Sequence, residues 1–211
     1  PNGYDIHAEG IRIPPIKVFD RGQERTDIFE LVWNNVRFPR GIRIDNYAMI
    51  AATTLAEDRM LALVDRYGRD TVMASIYEMI DRIERAVRAD IRKIPDGTYH
   101  GESATDDDGT ILDEPVWVRV DITVHGDEIT LDFSKSDAQR KGFVNMIYAA
   151  SYSQAVAAVL CMLDPELADY HNEGSLRPIK IVNPKGMVVN AQYPATVGAS
   201  PVNVGTQVME A

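Results

Sequence analysis

The residues best suited to chemistry stand near the start of the chain, in Tyr4-Asp5-Ile6-His7-Ala8-Glu9-Gly10. If this run is extended, Asp5, His7 and Glu9 share one face, because side chains alternate along a strand. An imidazole between two carboxylates suits metal binding or acid–base work. The spacing is not that of a standard zinc pattern, and a solvated polar edge is the competing reading. A second acidic run, Asp106-Asp107-Asp108-Gly109, resembles part of a calcium loop. It lacks the alternating ligands, the sixth-position Gly and the twelfth-position Glu of that motif, so it reads as a solvated acidic loop.

Three further stretches carry candidate groups. Tyr170-His171-Asn172-Glu173-Gly174 offers His171 and Glu173 to a site, but Asn172 and Gly174 also make it a turn. Val197-Gly198-Ala199-Ser200-Pro201-Val202-Asn203-Val204-Gly205 is a small-residue loop ahead of a helix. Such loops can present backbone N–H groups to an anion. It is neither a Walker A sequence nor a dinucleotide fingerprint, and close backbone packing is its other use. Cys161 lies in an apolar run and reads as core, not as a nucleophile. His100 and His125 read as surface residues. No spacing supports a Ser-His-Asp or Cys-His arrangement.

The elements that must position these groups fall into three regions. Residues 1–25 form an arm with a short strand, Ile16-Lys17-Val18-Phe19, closed by the turn Asp20-Arg21-Gly22. Residues 26–95 are helical. Thr26 or Asp27 caps a first helix, and Pro39 with Gly41 breaks it. A second helix spans 42–67, with Ile50, Leu55, Leu61 and Val64 on or near its apolar face and Gly68 as its stop. A third starts near Asp70 and ends at Pro95-Asp96-Gly97. Together they predict a helical hairpin. Residues 96–211 read as α+β. Val116 to Val124 and Ile129 to Phe133 alternate about His125-Gly126-Asp127-Glu128, which is a β-hairpin signal. The run over 149–163 is apolar nearly all round and predicts a buried helix. Ile179 to Val182 and Val188-Val189 read as short strands. The fold class is therefore α+β: a strand-bearing arm, a helical hairpin, then a mixed sheet with a buried helix.

Composition narrows the function. The chain has 211 residues, 22 Lys and Arg against 32 Asp and Glu, and a net charge of −10. A surface this acidic argues against nucleic acid or anionic membrane as the partner. No apolar run reaches the roughly 18 residues of a membrane span. One cysteine allows no internal disulfide, in keeping with a cytoplasmic protein. The chain opens without Met and stops within a patterned segment. It reads as a fragment of a larger chain, with a subunit trimmed by processing as the alternative.

Six segments in order resemble the hydantoinase B family, which includes the matching half of 5-oxoprolinase and the alpha-type subunits of acetone and acetophenone carboxylases. They are Tyr4 to Lys17, Asp65-Arg66-Tyr67-Gly68, Pro95-Asp96-Gly97-Thr98-Tyr99, Ile129 to Asp137, Asn172 to Ile179, and Asn183-Pro184-Lys185-Gly186. The resemblance implies an ATP-dependent hydantoinase- or oxoprolinase-like amidohydrolase that opens a lactam ring. The alternatives are a segment of an acetone- or acetophenone-type carboxylase subunit and a non-catalytic scaffold segment. It implies a hydantoinase A-like, actin-like partner subunit that handles ATP-Mg, and contact with the remaining segments of the parent chain. A divalent metal, Zn or Mn, is implied on an upstream segment, with no cofactor held here. Of the positions that fit the family pattern, Glu9 is the first catalytic candidate, either orienting a ligand histidine or acting as a general base. Asn145 is the second, for substrate binding or for holding a crossing of the chain. Asp5 and His7 are the metal candidates within this segment.

Overall fold

The computed structural model describes residues 4–211, apart from the side chain of Ala168. The chain divides into two compact units. One joins the N-terminal residues through Glu9 to Ile76–Ala211, and the other is Gly10–Ser75.

In the Gly10–Ser75 unit, β1 (Phe19–Asp20) and β2 (Gln23–Glu24) pair antiparallel. The turn between them puts Arg21 and Gly22 at φ of 51° and 78°. The turn falls where the sequence places it, but the strand is shorter than expected and gains a partner. Helix α1 (Thr26–Trp33) buries Phe29 and Trp33, whose rings stack with centroids 4.8 Å apart. Helix α2 (Pro39–Tyr67) follows. Pro39 opens this helix instead of breaking the one before, because the first helical position needs no N–H donor. Trp33 Nε1 donates to Asn46 Oδ1 at 3.1 Å, and the Tyr47 hydroxyl donates to Glu24 at 3.0 Å. None of the 29 residues of α2 is buried. Ile50 and Val64 are half-buried, and Leu55 and Leu61 are exposed. Gly68 ends α2 at φ 81°, its N–H bonded to the Val64 carbonyl. Helix α3 (Arg69–Ile91) begins here and continues into the other unit.

The larger unit is built on a four-stranded sheet of order β3 (Gly97–Thr105), β4 (Val116–His125), β5 (Glu128–Asp132), β6 (Ile179–Val182). The first three strands are antiparallel, and β5 runs parallel to β6. The sheet is thus mixed, as the sequence implies. Alternation buries Val116, Val118, Val120 and Val124 on β4 and Ile129 and Leu131 on β5. Each such side chain contributes about 1.5–3 kcal/mol when fully buried. They join one core with Ile83, Val87 and Ile91 of α3, with Ala155, Val156 and Val159 of α4 (Tyr148–Met162), and with Val204 and Val208 of α7 (Val204–Glu210). The short helices α5 (Pro165–Ala168) and α6 (Glu173–Leu176) lie between α4 and β6 in sequence.

Three expectations fail here. Val188 and Val189 are fully buried but form no strand; pairing nearby is limited to an isolated bridge between Ala138 and Met187. Cys161 is exposed. Helix α4 buries only the face carrying Ser151, Ala155, Val156 and Val159, so an all-round apolar run did not mean all-round burial.

Candidate functional site

The N-terminal run is not extended. Ile6–Ala8 form a single 3-10 turn, and Asp5 caps it by accepting the His7 N–H at 2.9 Å. The short Asp side chain competes for local backbone donors, which favours a capped turn over a strand. The shared face of Asp5, His7 and Glu9 is therefore lost. His7 Nε2 instead meets the Tyr193 hydroxyl at 2.9 Å, and Ile6 N–H bonds the Pro194 carbonyl. These contacts fasten the turn to residues 193–194.

Glu9 ends this turn and points at the small-residue loop. Its carboxylate accepts the Val197 N–H at 2.8 and 3.0 Å and the Gly198 N–H at 2.5 Å. The anion that the loop's backbone donors receive is the protein's own carboxylate. Gly198 is needed for this approach, since a Cβ there would stand 2.9 Å from Glu9 Oε1.

Behind the grip lies a buried polar chain. Asn145 is fully buried. Its Oδ1 accepts the Arg140 N–H at 2.7 Å, and its Nδ2 donates to the carbonyls of Arg140, Gly142 and Thr196 at 2.8, 3.1 and 3.1 Å. The fully buried Thr196 donates its hydroxyl to the Gly142 carbonyl at 2.6 Å. Both ends of the Asn145 amide are engaged with backbone, the geometry of a clamp between two loops.

Asp108 corrects the reading of the acidic run. It is 5% exposed. Its Oδ1 accepts from Thr110 N, Thr110 Oγ1 and Ile111 N at 2.7, 2.6 and 2.8 Å, and its Oδ2 faces Gly142 N at 3.4 Å. Burial pushes this carboxyl up, but those hydrogen bonds together outweigh it and hold the group below its ordinary value. An Asp with a hydroxyl residue two positions on was the available signal, and net charge in the run masked it.

Residues 105–110 and 142–144, with Tyr4, Ala199 and Asn203, line a cleft of about 500 Å³; Ala199 follows directly on the segment that Glu9 holds. Tyr4 and Phe143 bring aromatic rings to its lining, and Asp106, Asp107 and Asp108 bring carboxylates. Among the described residues no group of three or more His, Cys, Asp or Glu is placed to hold a metal ion.

The other singled-out groups lie elsewhere. Asn172 caps α6, accepting the Gly174 N–H at 2.8 Å and closing a capping box with Ser175. Gly174 abuts α3 so closely that a Cβ would fall 2.0 Å from the Ile80 carbonyl oxygen. His171 and Glu173 line a separate groove of about 870 Å³ against Met79 and Ile83. On β3, His100 Nδ1 lies 2.7 Å from Asp121, which also pairs with Lys135. Lys135 first and His100 second hold the Asp121 carboxyl below its usual range.

The family model described as hydantoinase B/oxoprolinase matches residues 1–211. The chain is 35% identical over 196 residues to the caprolactamase subunit beta of Pseudomonas jessenii, covering 92% of this chain and 33% of that one. The crystal structure of the ATP-dependent caprolactamase from Pseudomonas jessenii superposes with a TM-score of 0.86 at 31% identity, over 97% of this chain and 35% of that one. A nucleotide-free acetone carboxylase structure matches with a TM-score of 0.81 at 18% identity, over 94% of this chain and 28% of that one, which is a likeness of fold. The chain spans about a third of the length of these relatives. No helix among the described residues is long and apolar enough to cross a membrane.

Proposed function

The chain belongs to the hydantoinase B/oxoprolinase family, and from that premise we propose that it is part of the B-type subunit of an ATP-dependent cyclic-amide hydrolase. The observation that carries this reading is the 35% identity to a caprolactamase beta subunit across 92% of the chain. A lactam carbonyl is a poor electrophile. Coupling its opening to ATP, on a hydantoinase A-like partner subunit, supplies the activation. The B-type subunit then holds the activated species while water attacks and oxyanion charge develops. A divalent metal, where the reaction uses one, is held by segments of the parent chain other than this one.

Within this segment, the cleft beside residues 105–110, 142–144 and 197–203 is the working surface. Glu9 and Asn145 serve it as positioning residues. Both Glu9 oxygens accept backbone N–H groups, which disfavours a general-base role and suits a strut that fixes the cleft wall. Asn145 ties Gly142 to Thr196, the neighbour of the Val197 that Glu9 holds.

The test is turnover of the full-length protein with its ATPase partner on cyclic amides. Glu9→Ala, which removes both acceptor oxygens, is expected to lower turnover at least tenfold with assembly unchanged. Bicarbonate-dependent consumption of a ketone, with no lactam hydrolysis, would assign the chain to the carboxylase branch instead. Near-normal turnover of the variant would leave the segment a scaffold.

A further inference from the structure

We propose that Asp108 is a positioning residue that sets the grip on Glu9 through a buried polar chain, so that the two walls of the cleft move as one. The links are continuous. Asp108 Oδ2 faces the Gly142 N–H at 3.4 Å. The Asp108 carbonyl oxygen lies so close over Gly142 that a Cβ there would fall 1.6 Å from it. The Gly142 carbonyl accepts the Thr196 hydroxyl at 2.6 Å and Asn145 Nδ2 at 3.1 Å. Asn145 Nδ2 reaches the Thr196 carbonyl at 3.1 Å, and the next residue, Val197, donates its N–H to Glu9.

Burial makes this more than adjacency. Asp108, Asn145 and Thr196 are 5%, 0% and 0% exposed. Water cannot replace a partner that moves away, so a displacement at one link is passed to the next. Energetic coupling is carried by such contiguous hydrogen-bonded, close-packed groups. Asp108 stands 89 positions before Val197 in sequence, and the hydrogen bonds of its Oδ1 fix the acidic wall of the cleft. The inference rests on the cleft being the working site, but its test does not read turnover.

The experiment is residue-resolved hydrogen exchange on the full-length protein in its native assembly. Asp108→Asn keeps an oxygen for Thr110 and Ile111 and turns an NH2 toward the Gly142 N–H, so it cuts the link while sparing the local turn. Thr196→Val keeps side-chain volume and removes the hydroxyl; Thr196→Ser is the control that keeps it. The Val197 amide is expected to exchange at least tenfold faster in Asp108→Asn and in Thr196→Val, and at the native rate in Thr196→Ser. By linkage, Glu9→Ala is expected to speed exchange of the Gly142 amide. A Val197 rate that stays within twofold of native in either breaking variant overturns the proposal. Failure of lactam turnover with these exchange results intact would strike the proposed function and leave the coupling standing.

Discussion

Adding one methyl group to Gly198 should do the work of removing the Glu9 carboxylate. The new Cβ would stand 2.9 Å from Glu9 Oε1 and 3.2 Å from its Cδ. Gly198 is not at positive φ, so the alanine backbone is unstrained. Glu9 is the flexible partner and must withdraw, breaking its bonds to the Val197 and Gly198 N–H groups. Hydrogen bonds to charged groups are worth about 1.5–3 kcal/mol. Gly198 is exposed, so water recovers part of that loss, whereas Val197 is half-buried. Glu9→Ala should cost about 2–3 kcal/mol and Gly198→Ala about 1.5–2.5 kcal/mol. The two act on the same contact. With Glu9 already truncated, the two close contacts of the Gly198 methyl are gone, and Phe143 stands at an ordinary 3.5 Å. The double variant should therefore cost little more than Glu9→Ala, a coupling of about 1.5 kcal/mol. Urea unfolding of the four proteins gives this cycle directly. Additivity within about 0.5 kcal/mol would refute the contact as the reason for the glycine.

Other outcomes follow from the same packing. Asn145→Ala strands buried groups of Arg140, Gly142 and Thr196 and should cost about 3 kcal/mol or more in the same unfolding assay. Gly174→Ala drives a Cβ to 2.0 Å from the Ile80 carbonyl oxygen and 2.9 Å from the Glu84 nitrogen, neither of which can swing aside, and should lower stability by about 2–4 kcal/mol. The Asp108 carboxyl lies below its ordinary value in the folded chain, so its contribution is complete above that value and is lost as pH falls through the lower folded one. Stability measured from about pH 6 down to about pH 2 should show an acid limb that is shallower in Asp108→Asn. Cys161 should react with a thiol reagent in the native protein at the rate of an exposed cysteine, and Cys161→Ser should change stability by less than about 0.5 kcal/mol.

The legible parts of the fold were those with local periodicity. The alternation of Val116 to Val124 and Ile129 to Phe133 placed β4 and β5 within a residue or two, because one buried face fixes that pattern. Gly68 marked the end of α2 because only a flexible backbone turns there at φ 81°. Val188 and Val189 misled because burial in a loop and burial in a strand look alike over two residues. The residues of the candidate site are legible only in part. The family pattern singles out Glu9 and Asn145, and the composition of the small-residue loop lets its backbone donors face an anion. That its anion is Glu9 depends on a contact across 188 positions, which no local spacing encodes. Asp108 was hidden by its neighbours: Asp106 and Asp107 supply the charge of a solvated loop, while the third carboxylate turns inward.

The measurement that tests the central claim most directly is ATP-dependent opening of caprolactam, hydantoin and 5-oxoproline by the full-length protein combined with the ATPase subunit proposed for it, wild type against Glu9→Ala. The account predicts lactam-dependent ATP hydrolysis in the wild type, and turnover at least tenfold lower in an equally assembled variant. Equal turnover in the two proteins would contradict the role given to the Glu9 grip, and no activity on any cyclic amide would contradict the assignment as a lactam hydrolase.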